Sequence, residues 1–514
     1  MLRYGFSAGL LALQLASQAV TGAFGISSNG SSSTDNLQSF GYKPRIFILS
    51  DILNEPDDSM SLVRYLLYSN EFNTTGLCAT TSWWMQNDTH PEAMEKIINA
   101  YGEVVDNLNQ HVHPSTSYQP ADELLQLVTS GPKVYGSAAL DEPISEGALR
   151  LIASLQASEE LLFVTAWGGT NTMAQALQYM DQTLSASEAS ALRSRIRLYT
   201  ISDQDDTGAW IRARYPDIFY IVSVHAWNDY GAATWTGINL ATCNCVQNET
   251  VLNPWLDANI RLGSLGAVYP QIIYGMEGDT PSFLWLVQNG LVYRDRIDWG
   301  TWGGRYGLPQ SAIDLAGGRA HVSNQYVNTI ETVIGADGLS YATHQASIWR
   351  WRAAYQDDFA ARMQWTLTPD FAAAGHPPVV NVNGHTGPDP LLVTVAANQT
   401  YTFDASLTVD TDSLEGGVGN LTFEWVVYPD PTAFYLDAQL RAAANSTGAG
   451  ILETNDAGFS NATLGTAIEI TAPVDSRNQE TGLPPNFHIL LQVTNPAGKY
   501  PIRRYLRIVC EYES

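Results

Sequence analysis

Four carboxylates, Asp51, Glu55, Asp57 and Asp58, stand between the apolar run Arg45-Ile46-Phe47-Ile48-Leu49 and the apolar-periodic segment Met60 to Tyr68. So many oxygens at one strand-to-helix handover suit a hard cation such as Ca²⁺. Paired acids in a first helical turn also serve as a capping signal, because the helix dipole stabilises them there. Both readings stand for this segment taken alone. Other polar clusters follow further apolar runs: Trp167-Gly168-Gly169-Thr170-Asn171-Thr172, Ser202-Asp203-Gln204-Asp205-Asp206 and Glu277-Gly278-Asp279-Thr280-Pro281-Ser282, with an acidic loop from Asp141 to Glu146. Glycines let a backbone approach a ligand, and Thr170 could offer its carbonyl to a cation. Asn171 either binds a substrate hydroxyl or caps the helix after it; Asp203, Asp205 and Asp206 are either site residues or a solvated turn. Trp83, Trp84, Trp167, Trp299 and Trp302 are sugar-stacking candidates that could equally be core.

The elements that position these residues follow from periodicity. Short β-rich runs (46–49, 76–81, 162–166, 196–201, 218–224) alternate with helical patterns (60–69, 92–107, 172–180, 208–215), and 279–288 reads as a further helix. Such alternation predicts an α/β domain, a mainly parallel sheet flanked by helices. Acidic strand ends on one such sheet point to a shared crevice. Beyond Pro377 the grammar changes to short strands (379–382, 391–396, 400–403, 421–427, 467–470, 487–493) separated by Gly, Asn, Asp and Pro, which predicts an all-β immunoglobulin-like sandwich with Trp425 in its core. The expected organisation is a signal peptide over 1–22, a flexible lead-in over 23–42, the α/β domain over 43–370 and the β-sandwich over 371–514.

The formal charge of −26 argues against nucleic acid or an anionic membrane as partner. Arg3 followed by the apolar run Gly9 to Val20 predicts a secretory signal, and no later run is long enough to insert in a membrane. Asn-x-Ser/Thr acceptors at Asn29, Asn73, Asn87, Asn248, Asn398, Asn420, Asn445 and Asn461 fit a secreted, extracellular glycoprotein. Cys78 reads as a buried thiol, Cys510 lies in the last apparent strand, and Cys243 and Cys245 read as a local redox or bridged loop. His225 and His344 read as structural, and Arg350 and Arg352 as buried partners of Asp357 or Asp358.

The string Ser50 to Asp58, with Ala79-Thr80-Thr81-Ser82, Ala166 to Thr172, Ile201 to Asp206, Glu277 to Ser282 and Ile348-Trp349-Arg350-Trp351-Arg352, resembles the nucleoside hydrolase-like, cellulose-binding protein family. The resemblance implies a nucleoside hydrolase-like domain followed by a β-rich one. It further implies a Ca²⁺ site at Asp57, Asp58, Asp279 and the Thr170 carbonyl, with Asp51 as the base that takes a proton from metal-bound water. Six positions separate Asp51 from Asp57 where nucleoside hydrolases have four, so Glu55 is the alternative base. Many of those enzymes place a His where this chain has Gly278, which leaves Glu277 or Asp203 for the leaving group. Asn171, Asp203 and Trp83 are the expected substrate contacts. The implied activity is calcium-dependent hydrolysis of an N- or O-glycosidic bond in a carbohydrate or nucleoside-like substrate, with cellulose or another wall polysaccharide as a partner. The alternative is a carbohydrate-binding protein on the same fold without catalysis.

Overall fold

Every residue of β1 (Arg45–Ser50) is buried, as an apolar strand covered on both faces requires. The computed structural model describes residues 34–226, 228–239, 245–293, 296–309, 324–414, 416–431, 439–473 and 486–512. The expected signal peptide, the start of the lead-in, Asn29 and Cys243 lie outside the described residues. Around β1 are β2 (Asn73–Ala79), β3 (Val128–Ser130), β4 (Leu162–Ala166), β5 (Ile196–Thr200), β6 (Phe219–Val222), β7 (Tyr306–Gly307) and β8 (Gln325–Asn328), in the order β3-β2-β1-β4-β5-β6-β8-β7. All neighbours pair in parallel except β7 with β8. Chain order reverses at β1, which has β2 on one side and β4 on the other, and the crevice at their carboxyl ends is where such sheets bind ligands.

Helices α1 (Pro56–Tyr68), α2 (Pro91–Gly102), α3 (Glu146–Gln156), α4 (Asn171–Thr183) and α5 (Thr207–Arg214) flank the sheet. Pro56 occupies the first turn of α1, where its fixed φ fits and no amide hydrogen is needed. The helix expected over 279–288 is only Pro281–Leu284. Its continuation is diverted because the Gln288 N–H donates to Glu71 Oε2 at 2.7 Å, and the Gln288 side chain donates to the Glu71 carbonyl at 3.0 Å.

A hairpin of β9 (Glu331–Ile334) and β10 (Ser340–Thr343) and helix α6 (Arg352–Trp365) lead to the β-rich part. After the two-residue strands β11 (Asn381–Val382) and β12 (His385–Thr386) come β13 (Leu391–Val395), β14 (Thr400–Asp404), β15 (Thr422–Tyr428), β16 (Leu440–Ala442), β17 (Gly450–Thr454), β18 (Ser460–Leu464), β19 (Ala467–Thr471), β20 (Asn486–Asn495) and β21 (Ile502–Tyr512). They form one sheet in the order β13-β21-β20-β15-β18-β17 and another in the order β14-β19-β16. Trp425 is buried in their shared core, its indole N–H donating to the Gly465 carbonyl at 2.8 Å. Strands β16 to β18 are absent from the expectation because they are short and largely exposed or half-buried, so they carry little period-2 signal.

The described residues pack as one compact unit. A single apolar cluster runs from Leu66 and Phe359 to Tyr428, Leu490 and Tyr505. Arginines stitch the same boundary. Arg504 meets Asp358 at 2.8 Å, and Arg362 reaches the other Asp358 oxygen at 2.9 Å. The expected pairing of Arg350 and Arg352 with Asp357 or Asp358 is corrected. Arg350 meets Glu331 at 2.7 Å and Asp430 at 3.3 Å, while Arg352 donates to Asn248 Oδ1 and the Gly237 carbonyl. Sequence proximity misleads here because Asp357 and Asp358 meet Arg503 and Arg504 of β21 across the boundary.

Asp358 tests the importance of this boundary. Burial pushes its carboxyl up, but Arg504 and Arg362 overcome that and hold it at about 2. Its replacement in Asp358→Ala leaves two buried guanidiniums short of a partner, and urea unfolding should show a loss of about 3–5 kcal/mol.

Candidate functional site

The loop between β1 and α1 turns at Leu53, which takes a left-handed φ of 77°, and brings Asp51, Glu55, Asp57 and Asp58 into one cavity. Asp279, far along the chain, completes the acidic wall. The cavity has a volume of about 430 Å³ and is bounded by these acids with Trp84, Trp167, Tyr230, Trp235 and Gln204. Glu55 at the N-cap of α1 makes no side-chain cap hydrogen bond, and Asp57 and Asp58 stand in the first turn of the helix. Carboxylate oxygens of Asp57, Asp58 and Asp279 lie within 4.8 Å of one another, a spacing one cation can bridge.

Each acid has little to neutralise it. Asp51 Oδ2, Asp57 Oδ1 and Asp279 Oδ2 are buried without a hydrogen-bond partner. Ser50 Oγ donates to Asp58 Oδ1 at 2.5 Å. Burial raises Asp51 to about 6, against a hydrogen bond from Ser82. Burial, then the charges of Glu55 and Asp51, raises Asp57 to about 7. Asp58 and Asp279 are pushed well above the usual carboxylate range, first by burial and then by the other acids. Buried orphan oxygens and an all-carboxylate donor set fit a hard cation. Gly168 is required by this crowding, because a Cβ there would lie 2.8 Å from Asp51 Cβ.

Of the expected site residues, the fold gathers Asp51, Asp57, Asp58 and Asp279 and takes the others elsewhere. Thr170 is not brought to the cavity: its carbonyl accepts from Ala174 N at 2.9 Å and its hydroxyl bonds Thr207 Oγ1 at 2.8 Å. As the residue before α4, it necessarily turns its carbonyl along the helix. Trp167, three residues earlier, lines the cavity instead. Asn171 is buried and structural, donating to Thr81 Oγ1 and the Val134 carbonyl, each at 2.8 Å. Asp203 points out into a bidentate pair with Arg212, both contacts at 2.7 Å, and Gln204 takes the place on the wall. Trp83 is exposed against Tyr135, and its neighbour Trp84 lines the mouth. Trp299 and Trp302 are core.

Glu277 is corrected most clearly. It is wholly buried, pairs with Arg64 at 2.5 Å, and accepts from Tyr269 at 2.5 Å and Thr280 at 2.9 Å. Those bonds hold a left-handed backbone at φ 51°, which places Gly278 and Asp279. A carboxylate so engaged is an anchor for the loop, turned to Arg64 and not to the cavity. The space a side chain at 278 would need is filled: a Cβ there would lie 2.8 Å from Asp57 Oδ2 and 2.9 Å from the Trp235 ring. Trp235 is held by its own N–H, which donates to Ser202 Oγ at 2.9 Å, and Ser202 also bonds His225 Nε2 at 2.7 Å. Sequence reasoning missed Trp235, Tyr230 and Gln204. Only Gln204 sat in a segment already singled out.

A parallel sheet of this order with an acidic crevice at its switch point defines a nucleoside hydrolase-like fold. The chain belongs to the family described as cellulose-binding Sde182, nucleoside hydrolase-like domain, whose model matches residues 45–306. It is similar to a solved nucleoside hydrolase-related hypothetical protein from Saccharophagus degradans described as associated with carbohydrate metabolism. That similarity has a TM-score of 0.71 and 25% sequence identity, and covers 92% of this chain and 100% of that one. No curated protein matches the chain. Among the described residues no helix is long and apolar enough to cross a membrane. Cys78 and Cys510 are free and buried, and Cys245 is disulfide-bonded.

The raised carboxyls make stability depend on pH in an unusual direction. Where folded-state pKa values exceed unfolded ones, the native state holds the extra protons, so stability is lost as pH rises through the folded values. In chelator, the melting temperature should therefore fall as pH rises through about 6 for Asp51 and about 7 for Asp57. Asp57→Asn should flatten that fall; a melting temperature that climbs across the window in chelator contradicts the crowding.

Proposed function

We propose that the chain is a secreted, calcium-dependent hydrolase of N- or O-glycosidic bonds acting on a carbohydrate or nucleoside-like substrate. The observation that carries this reading is a cavity with orphaned carboxylate oxygens on one side and aromatic rings on the other. A calcium ion at Asp57, Asp58 and Asp279 would supply the double positive charge that relieves their repulsion and makes nearby water more acidic.

The chain's own groups divide the remaining work. Asp51, with one free oxygen and a fixed position against Gly168, accepts the proton of the attacking water. Aromatic walls hold the apolar face of a sugar ring, while the polar floor meets its hydroxyls. Water attack opposite a departing group needs charge stabilised at an oxocarbenium-like centre, and the acidic floor supplies negative potential there. With Glu277 and Asp203 engaged elsewhere, the lining groups that could protonate a leaving group include Glu55, Tyr230 and Tyr274.

A specific observation favours a second reading, carbohydrate binding without hydrolysis. Trp235 occupies the space beside Gly278, and its N–H is committed to Ser202, so no imidazole or free donor stands there.

Two measurements separate the readings. Nucleosides, aryl glycosides and wall oligosaccharides should be screened with and without chelator, with hydrolysis expected only when calcium is present. Retention on insoluble cellulose with no hydrolysis of any substrate would establish the binding reading instead. Asp51→Asn should lower kcat by about 10²–10⁴-fold with calcium binding retained. Asp57→Asn should abolish both calcium binding in calorimetry and turnover, with the circular dichroism unchanged. Unaltered calcium affinity in that variant removes Asp57 from the metal site.

A further inference from the structure

The aromatic side of the cavity is a connected row. Trp235 lies against the acidic floor, where a Cβ on Gly278 would touch both its ring and Asp57. The Tyr230 ring is 6.3 Å from Trp235, and the Trp84 ring is 6.5 Å from Tyr230, centroid to centroid. Exposure grows outward: Trp235 and Tyr230 are partly covered, and Trp84 is 51% exposed at the mouth. The His225 ring lies 4.5 Å from that of Tyr230, tilted by 53°, and bonds the same Ser202 that holds Trp235, so the two inner rings share one support.

We infer that Trp84, Tyr230 and Trp235 form a ramp that binds the end of a linear, neutral oligosaccharide, with three consecutive sugars resting along the rings and the terminal one over the carboxylates. The inference rests on the proposed function only in placing a sugar on the acidic floor. Three features select this ligand. Aromatic rings in sequence match the repeated apolar faces of a sugar chain, whereas a lone nucleoside would leave the outer ring without a contact. Acidic groups without any Lys or Arg among the cavity's lining residues disfavour phosphorylated or uronic substrates. Asp58 and Asp279 are buried where Trp84 is exposed, so a chain that reaches the carboxylates from the mouth enters by its end.

The test is calorimetric titration of the full chain, in calcium, with glucose, cellobiose, cellotriose and cellotetraose, with product analysis run in parallel. Affinity should rise roughly fivefold to tenfold with each sugar up to the third and then level off. Trp84→Ala, an exposed substitution, should make cellotriose bind like cellobiose and leave the shorter ligands unchanged. Ile451→Ala, at a 78% exposed apolar position on β17, should leave the whole series as it was. Affinity independent of chain length, or a series lost in Ile451→Ala and kept in Trp84→Ala, overturns the ramp. Length-dependent binding without cleavage of these oligosaccharides, or of the nucleosides and aryl glycosides screened above, leaves the ramp standing and removes the hydrolase; cleavage without length dependence does the reverse.

Discussion

The rest of the structure is arranged around the crowding of like charge at the end of β1. Asp51, Asp57, Asp58 and Asp279 share one buried crevice with Glu55 at its edge, and three of their oxygens have no partner. Repulsion between carboxylates in a poorly solvated site opposes folding, so rigid surroundings must hold them together. Several features provide that rigidity. Parallel pairing on both sides fixes the end of β1, Pro56 starts α1 at a set place, Gly168 lets β4 approach Asp51, and Glu277 pins the loop that carries Asp279.

The α/β alternation, the sheet and the later β-rich part were legible in the sequence, because period-2 and helical patterns are strongest in fully buried segments. The four acids that meet were legible for a related reason: all stand at strand ends or helix starts, positions that local pattern locates well. Thr170 and Asn171 misled because a polar residue after a strand can face the crevice or cap the next helix, and α4 uses both for its own start. Trp83 and Trp84 are adjacent but make different contacts, Trp83 with Tyr135 and Trp84 with the cavity, so choosing between them needed the conformation of a loop. Trp235 and Tyr230 lie in short turns of helix with no periodic signal, and nothing in the sequence ties them to Asp57.

Glu277 shows why charge type alone does not assign chemistry. It sits beside the late aspartate and has the right functional group for an acid, yet Arg64 on α1 claims it. Arg64 is two turns beyond Asp57 and Asp58 on the same helix. The helix that presents the paired acids therefore also carries the cation that orders the third, and a change at Arg64 would move Asp279 through Glu277 without touching the cavity.

Several of the chain's other buried acids are handled differently. Glu71 meets Arg362, Glu331 meets Arg350 and Arg305, and Asp358 meets Arg504 and Arg362. Burial alone would raise Glu331, but its arginines bring it below the usual range. Arginine is thus the internal solution to a buried carboxylate throughout the boundary between the two halves. At the crevice that solution is withheld although Arg64 stands on the same helix, and the acids with orphaned oxygens line the cavity. An acidic group left uncompensated in a fold that compensates its neighbours is arranged for a charge that arrives from outside, which is the physical ground for reading this crevice as the functional site.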